Sequence, residues 1–287
     1  MLSCARFTDA NRPERDNPSS SILITPSNQL DDGNRTIRGL WIGPRLSTME
    51  RLSITSFLRN GHEYHLYVYD DLSNIPAGTV VKDANEILPA SRIFKYKQRP
   101  SYAGFANHFR YELLFQFGGW WADTDVICLR PFDFSDEYVL ASEVAGDQIL
   151  ANNGIMKVPA GSQIIDHAVQ VCETKDPQQL FWGETGPHLL TELVAKFGLS
   201  QYQRSYSVFC PIIDWRKLIE PYVAAVPSDA YAIHLWNSFW QFEPQDKDAE
   251  YHPDCIYERL KRKYLGPTPA SVTSSNSHLT AEFVAGT

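Results

Sequence analysis

The chain of 287 residues carries 34 acidic and 26 basic side chains, a net charge of −8, so it lacks the basic stripe that nucleic-acid binding requires. A hydrophobic fraction of 43%, with 13% aromatic residues, excludes a chain that is disordered throughout and suits one large α/β domain. No apolar run approaches the roughly 18 residues needed to cross a bilayer, and Met1–Phe7 lacks the apolar core of a signal peptide. The expectation is a protein without a transmembrane segment. Five scattered cysteines (4, 128, 172, 210, 255) show no CxxC spacing, which fits reduced thiols and a cytoplasmic location. Lys261-Arg262-Lys263 suits the dipole at a helix's last turn and leaves peripheral contact with the inner membrane surface open.

Residues 1–35, rich in Asn, Ser, Pro, Asp and Arg, read as a poorly ordered arm. The folded domain is expected over 36–265. It opens with a strand at Ile37–Gly43, closed by Gly43-Pro44. Ser47 and Glu50 have the spacing of a capping box, followed by the apolar Leu52, Phe57 and Leu58 of a helix. Tyr64–Tyr69 is a second strand, and a short helix is expected within 82–88. Over 103–117, Phe105, Phe109, Leu113 and Phe117 recur every fourth residue, and Gly118-Gly119 stops the helix. Strands are expected near Tyr138–Ala141 and Gly154–Val158. A helix follows from Ser162, with Ile164, Ile165, Ala168, Val169 and Cys172 as its apolar face. Another spans Pro187–Phe197, with Thr185 as its cap, and Ala230–Leu235 is a late strand. Residues 251–264 are helical, and 266–287 read as a flexible tail. Strands alternating with helices predict an α/β fold with a mixed, mostly parallel sheet flanked by helices.

The most telling stretch is Gly118–Arg130, a turn and then an apolar strand bearing Asp123 and Asp125. Side chains two apart on a strand share a face, so both carboxylates are expected to aim together. Flanked by Trp120, Trp121, Val126, Ile127 and Leu129, they repel unless a cation lies between them. Hard oxygen ligands suit Mg²⁺ or Mn²⁺, ions that bridge carboxylates to a nucleotide's phosphates. Ligands of open α/β sheets sit beyond the carboxyl ends of strands, where Trp41-Ile42-Gly43 and His234 also stand. Each has a plainer reading. Trp41 could be core, His234 structural, Arg110 a surface ion pair, Asn152-Asn153-Gly154 a tight turn, and Glu184 an acid near a helix start.

Phe105-Ala106-Asn107-His108-Phe109-Arg110 followed by Gly118-Gly119-Trp120-Trp121-Ala122-Asp123-Thr124-Asp125 resembles the glycosyltransferases with an Asp-x-Asp sugar-binding motif. These include bacterial and fungal retaining enzymes related to mannosyl- and galactosyltransferases and, more distantly, the clostridial glucosylating toxins. The resemblance covers about residues 37–242 and implies a metal-dependent, retaining enzyme of the GT-A type. It would move a hexose from a nucleotide sugar, with a UDP-sugar favoured and a GDP-sugar as the alternative, to a hydroxyl of a glycan or other acceptor. It implies metal ligation by Asp125 and Asp123, with His234 and Asn237 as further candidates. It assigns donor contacts to Trp41, Gly43, Asn107, Arg110, Asp123, Asn153, Ser238 and Trp240. Glu184 would lie where donor sugar and acceptor meet, as a third catalytic candidate beside Asp123 and Asp125. Asn107 stands where the family usually has Asp, which bears on the donor sugar more than on the reaction.

Two rivals differ in class. Asp123-Thr124-Asp125-Val126 also fits the nucleophile motif of haloacid-dehalogenase-type phosphatases, whose later acidic pair would have to be Asp246 and Asp248. A non-catalytic glycan-binding module would instead use the 7 Trp and 14 Tyr for stacking.

Overall fold

In the computed structural model, which describes residues 32–221, 226–243 and 245–266, strands and helices alternate along the chain. The elements are α1 (Asp32–Arg35), β1 (Thr36–Trp41), α2 (Thr48–Arg59), β2 (Glu63–Val68), β3 (Val80–Asp83), α3 (Ala103–Phe117), β4 (Gly119–Ala122) and β5 (Val126–Cys128). There follow β6 (Val139–Ala145), β7 (Gln148–Val158), α4 (Gln163–Thr174), α5 (Leu189–Lys196), α6 (Tyr206–Phe209), β8 (Ala232–His234), α7 (Asn237–Phe242) and α8 (Ile256–Leu265). Six strands form one sheet in the order β3-β2-β1-β4-β7-β6. The β3-β2-β1-β4 pairings are parallel, and β7 runs antiparallel to both β4 and β6. A second, two-stranded antiparallel sheet joins β5 to β8. The expected mixed, mostly parallel sheet is therefore present.

Strand periodicity divides the apolar residues between two cores. Neighbours on a strand point to opposite faces. Trp120 accordingly packs with Ile37, Phe57 and Phe132 beneath α2 and α8, while Trp121 packs with Tyr67, Phe109 and Met156 beneath α3 and α4. Both indoles are almost wholly buried. At the head of α2 the capping box forms: the Ser47 amide and hydroxyl donate to Glu50 Oε2 at 2.6 and 2.5 Å, and the Met49 amide donates to Ser47 Oγ.

Several sequence expectations need correcting. Val80–Asp83 is a strand, and only a single 3₁₀ turn (Ala84–Glu86) occupies the span expected to be a helix. The two strands expected near 138–141 and 154–158 are longer and pair as a hairpin turned at Gly146 (φ +61°), so Asn152-Asn153-Gly154 lies mid-strand rather than in a turn. Thr185 is buried inside an irregular turn (Glu184–His188) and does not cap α5, which starts at Leu189. Helix α8 begins at Ile256, and α7 is an element the periodicity does not predict. Of the anticipated N-terminal arm, 1–31 lies outside the described residues. Residues 32–35 form α1, whose Asn34 accepts from Trp120 Nε1 at 3.0 Å and from Lys157 Nζ at 3.0 Å. The tail, apart from Gly266, also lies outside them. Among the described residues no helix is long and apolar enough to cross a membrane.

Candidate active site

The Asp-x-Asp pair does not ride on one strand. β4 ends at Ala122 and β5 starts at Val126, and residues 123–125 form the turn between them. The Val126 amide donates to Asp123 O at 3.1 Å, and the Asp123 amide donates to Gly154 O at 2.8 Å. The shared-face expectation is thus wrong in its cause. The two carboxylates still converge, with His234, because turn and strand ends meet: one ligand atom from each of the three lies within 4.8 Å of the others.

Asp123 is held from the helix side. Arg110 Nη2 donates to Asp123 Oδ1 at 2.5 Å, Trp121 Nε1 donates to the same oxygen at 2.7 Å, and the guanidinium stacks 4.9 Å from the Trp121 ring. Gly154 makes the space: a Cβ there would meet Asp123 Oδ2 at 2.9 Å and Asn152 Oδ1 at 3.0 Å. Arg110 also donates to Asn107 Oδ1 at 2.8 Å, which accepts from Asn153 Nδ2 at 2.8 Å as well. Asn153 Nδ2 in turn approaches the Tyr111 hydroxyl, and that hydroxyl donates to Thr185 O at 3.0 Å. A neutral Asn107 therefore sits inside an amide network, leaving Asp123 as the carboxylate beside Arg110.

Asp125 is held from the C-terminal side. Its Oδ2 lies 3.3 Å from His234 Nε2 and accepts from the Asn237 amide at 2.7 Å. Its Oδ1 is buried and has no hydrogen-bond partner. Burial alone would raise the Asp125 carboxyl, but the His234 charge and these hydrogen bonds outweigh it and hold it below the usual carboxylate value. Burial pulls the other way on His234, whose imidazole is nonetheless raised well above its ordinary value by Asp125. The backbone at Trp236 is left-handed (φ +59°), which turns the chain from β8 into α7 and aims the Asn237 amide at Asp125. An orphaned buried oxygen among two carboxylates and an imidazole is a donor set that fits Mg²⁺ or Mn²⁺.

These groups open onto a cavity of about 540 Å³. Of the residues singled out in the sequence, Trp41, Asn107, Arg110, Asp123, Asp125, Asn153, His234, Asn237 and Ser238 line it. Trp41 Nε1 is buried without a partner, and Lys247 Nζ lies 5.4 Å from the ring.

Three expected residues are elsewhere. Trp240 is 1% exposed, donates to Leu235 O at 2.8 Å and packs on Trp215 and Tyr257, so it belongs to the core. Glu184 is outside the cavity wall, bound by Lys175 at 2.5 Å and by the Phe181 amide at 3.1 Å; the Lys175 hydrogen bond lowers its carboxyl from the ordinary value. Gly43, at φ +144°, also lies off the wall. Asn237 engages Asp125 through its amide, while its side-chain oxygen accepts from Lys247 Nζ at 3.1 Å.

Sequence reasoning missed Glu143, which lines the cavity and accepts from Asn152 Nδ2; burial raises its carboxyl against the opposing pull of His234. It follows no motif, and only the β6–β7 register brings it near. The acidic pair needed by a phosphatase is absent from the wall. Asp248 instead caps Thr48, accepting from its amide and hydroxyl at 2.7 Å, and Asp246 accepts from the Asp248 amide at 2.8 Å.

Residues 47–153 match the family described as "Glycosyltransferase sugar-binding region containing DXD motif". That stretch contains Asn107, Arg110, Asp123, Asp125 and Asn153. No curated protein matches the chain. Among solved structures it is similar to the PaToxG glycosyltransferase, at 19% identity and a TM-score of 0.42, covering 57% of this chain and 69% of that one. It is similar to the glycosyltransferase GlyE of Streptococcus pneumoniae TIGR4, at 12% identity and a TM-score of 0.38, covering 82% and 66%. It is also similar to the bifunctional glycosyltransferase WbbM, at 11% identity and a TM-score of 0.44, covering 83% and 50%. Over residues 47–153 the chain is similar to the sugar-binding region of DXD-motif glycosyltransferases.

Proposed function

We propose that the chain transfers a hexose, with retention, from a nucleotide sugar to a hydroxyl of a glycan or similar acceptor, with a UDP-sugar as the preferred donor. The observation that carries this reading is the convergence of Asp123, Asp125 and His234 on one cavity wall, beside an Arg110–Asn107–Asn153 network. Asp125, Asp123 and His234 would hold Mg²⁺ or Mn²⁺, which when bound supplies charge neutralisation to a departing nucleoside diphosphate. Arg110 is fixed by Asp123 and by stacking on Trp121, so it meets the sugar pre-oriented and loses little side-chain freedom. Asn107 and Asn153 present amides that hydrogen-bond hydroxyls without adding charge. Trp41 offers an indole face to the base, and Ser238 a hydroxyl to the phosphate side of the cavity. The aromatic-walled space would limit water near the reacting carbon and so favour transfer over hydrolysis. The reading includes a cytoplasmic location, with any membrane contact peripheral.

The test is a panel of UDP- and GDP-sugars with Mn²⁺ or Mg²⁺, following nucleotide release and thermal shift. The expected result is that one UDP-hexose stabilises the protein only when metal is present, and that Asp125→Ala abolishes both signals. Phosphate release from simple phosphomonoesters, with no response to any sugar nucleotide, would overturn the reading.

A further inference from the structure

A second group of metal-capable side chains lies on the far flank of α3. At about 100° per residue, His108 and Glu112 project roughly 150° around the helix from Asn107 and Arg110. They are one turn apart and face α4, which contributes Glu173. His108, Glu112 and Glu173 each offer a ligand atom within 4.8 Å of the others.

The imidazole is the informative member. His108 is 5% exposed, yet its Nε2 has no hydrogen-bond partner. That nitrogen lies 3.5 Å from Glu112 Oε1. Two ligands about 2.1 Å from one tetrahedral ion stand roughly 3.4 Å apart, so the spacing suits a shared cation better than a direct hydrogen bond. A buried nitrogen with no partner is costly unless something else satisfies it. Among the described residues neither Glu112 nor Glu173 has a Lys or Arg ion-pair partner. His108 and Glu173 border a separate cavity of about 240 Å³, so an ion has a route in. Arg92 and Lys175 border it too, but Lys175 is committed to Glu184 at 2.5 Å. One imidazole and two carboxylates match the preferences of a zinc-type divalent ion.

We propose that His108, Glu112 and Glu173 form a second divalent-metal site that ties α3 to α4 behind the side chains facing the main cavity. The site does not depend on the transfer reaction proposed above. A bound ion would lock the rotation of α3, and with it the placement of Asn107 and Arg110.

The experiment uses the full chain carrying Asp125→Ala, which disables the first cluster, and the probe is Zn²⁺ alone, followed by equilibrium dialysis and thermal shift. One equivalent of Zn²⁺ should bind and raise the melting temperature. Adding Glu173→Gln or His108→Gln should weaken that binding at least tenfold and remove the thermal shift. Glu173 is exposed, so Glu173→Gln should melt like its parent without metal and decides the matter if His108→Gln fails to fold. Co²⁺ absorption provides a second readout, since loss of the imidazole should change its visible bands. No stoichiometric Zn²⁺ binding in the Asp125→Ala chain, or binding unchanged by Glu173→Gln, would overturn the proposal.

Discussion

The two halves of the Asp-x-Asp turn are held by different means. On the α3–β4 side, Asp123 is 31% exposed at its side chain and is paired with the Arg110 guanidinium. On the β8–α7 side, the Asp125 side chain is 10% exposed and is paired with the His234 imidazole. Both Arg110 and Trp121 donate to one Asp123 oxygen, whereas one Asp125 oxygen is left with nothing. The difference teaches that two acids separated by a single residue can divide their roles. Asp123 is a positioned counter-charge to Arg110, whereas Asp125 keeps the open oxygen that the proposed metal site would use.

Removing Asp125 should therefore do the most damage. Asp125→Ala is expected to cut metal-dependent nucleotide release by about a hundredfold or more and abolish the metal-induced thermal shift. If both survive, the division of labour is wrong. Arg110→Ala should come next. It leaves Asp123 with only the indole, lowers stability by about 2 kcal/mol in a denaturant melt, and reduces turnover by roughly tenfold or more. Gly154→Ala isolates the position of Asp123 without touching its charge. The new methyl would press on Asp123 Oδ2, so the metal concentration for half activity should rise about tenfold while the far-ultraviolet circular dichroism is unchanged.

Titration separates the two sides further. The folded His234 imidazole is raised above its ordinary value, so its contribution is fully present below about pH 6.5 and is lost as pH rises through the raised value. The Asp125 carboxyl is lowered, so its contribution is present above its ordinary value near 4 and is lost as pH falls through the lowered one. The metal-free protein should thus melt highest between these limits and lose stability on the alkaline side. Mn²⁺ binding requires a neutral imidazole and should strengthen over the same rise. Melts from pH 5 to 9 with and without Mn²⁺ check this, and His234→Gln should flatten the metal-free profile. The smallest effect is expected at Glu184. Glu184→Gln should cost less than about 1 kcal/mol and leave nucleotide release near the wild-type rate, because its partner is an exposed lysine outside the cavity.

What is legible in the sequence follows the same divide. Helix α3 and the capped start of α2 are written locally, in a four-residue apolar repeat and a Ser-x-x-Glu pair, so they can be read directly. The Asp123–Asp125 turn reads as strand because apolar residues flank it on both sides. What interrupts the strand is a turn closed by the Val126 amide on the Asp123 carbonyl, which no local pattern reports. Asn152-Asn153-Gly154 has the composition of a turn, yet pairing with β6 and β4 overrides that preference. Resemblance to a family Ser-x-Trp pair points Trp240 at the donor. A six-residue helix turns it inward instead, and the left-handed residue before that helix hides its helical character.

Lys247 has a mechanical consequence. Its ammonium joins Glu50 at the head of α2 to the Asn237 side chain at the start of α7, at 2.5 and 3.1 Å. Glu50 is wholly buried, so releasing the lysine would strand a charge with no water to meet it. The same short helix supplies the amide that grips Asp125. The chamber's C-terminal wall is therefore latched to the head of α2, and any outward swing of that wall must either carry Lys247 along or open the latch.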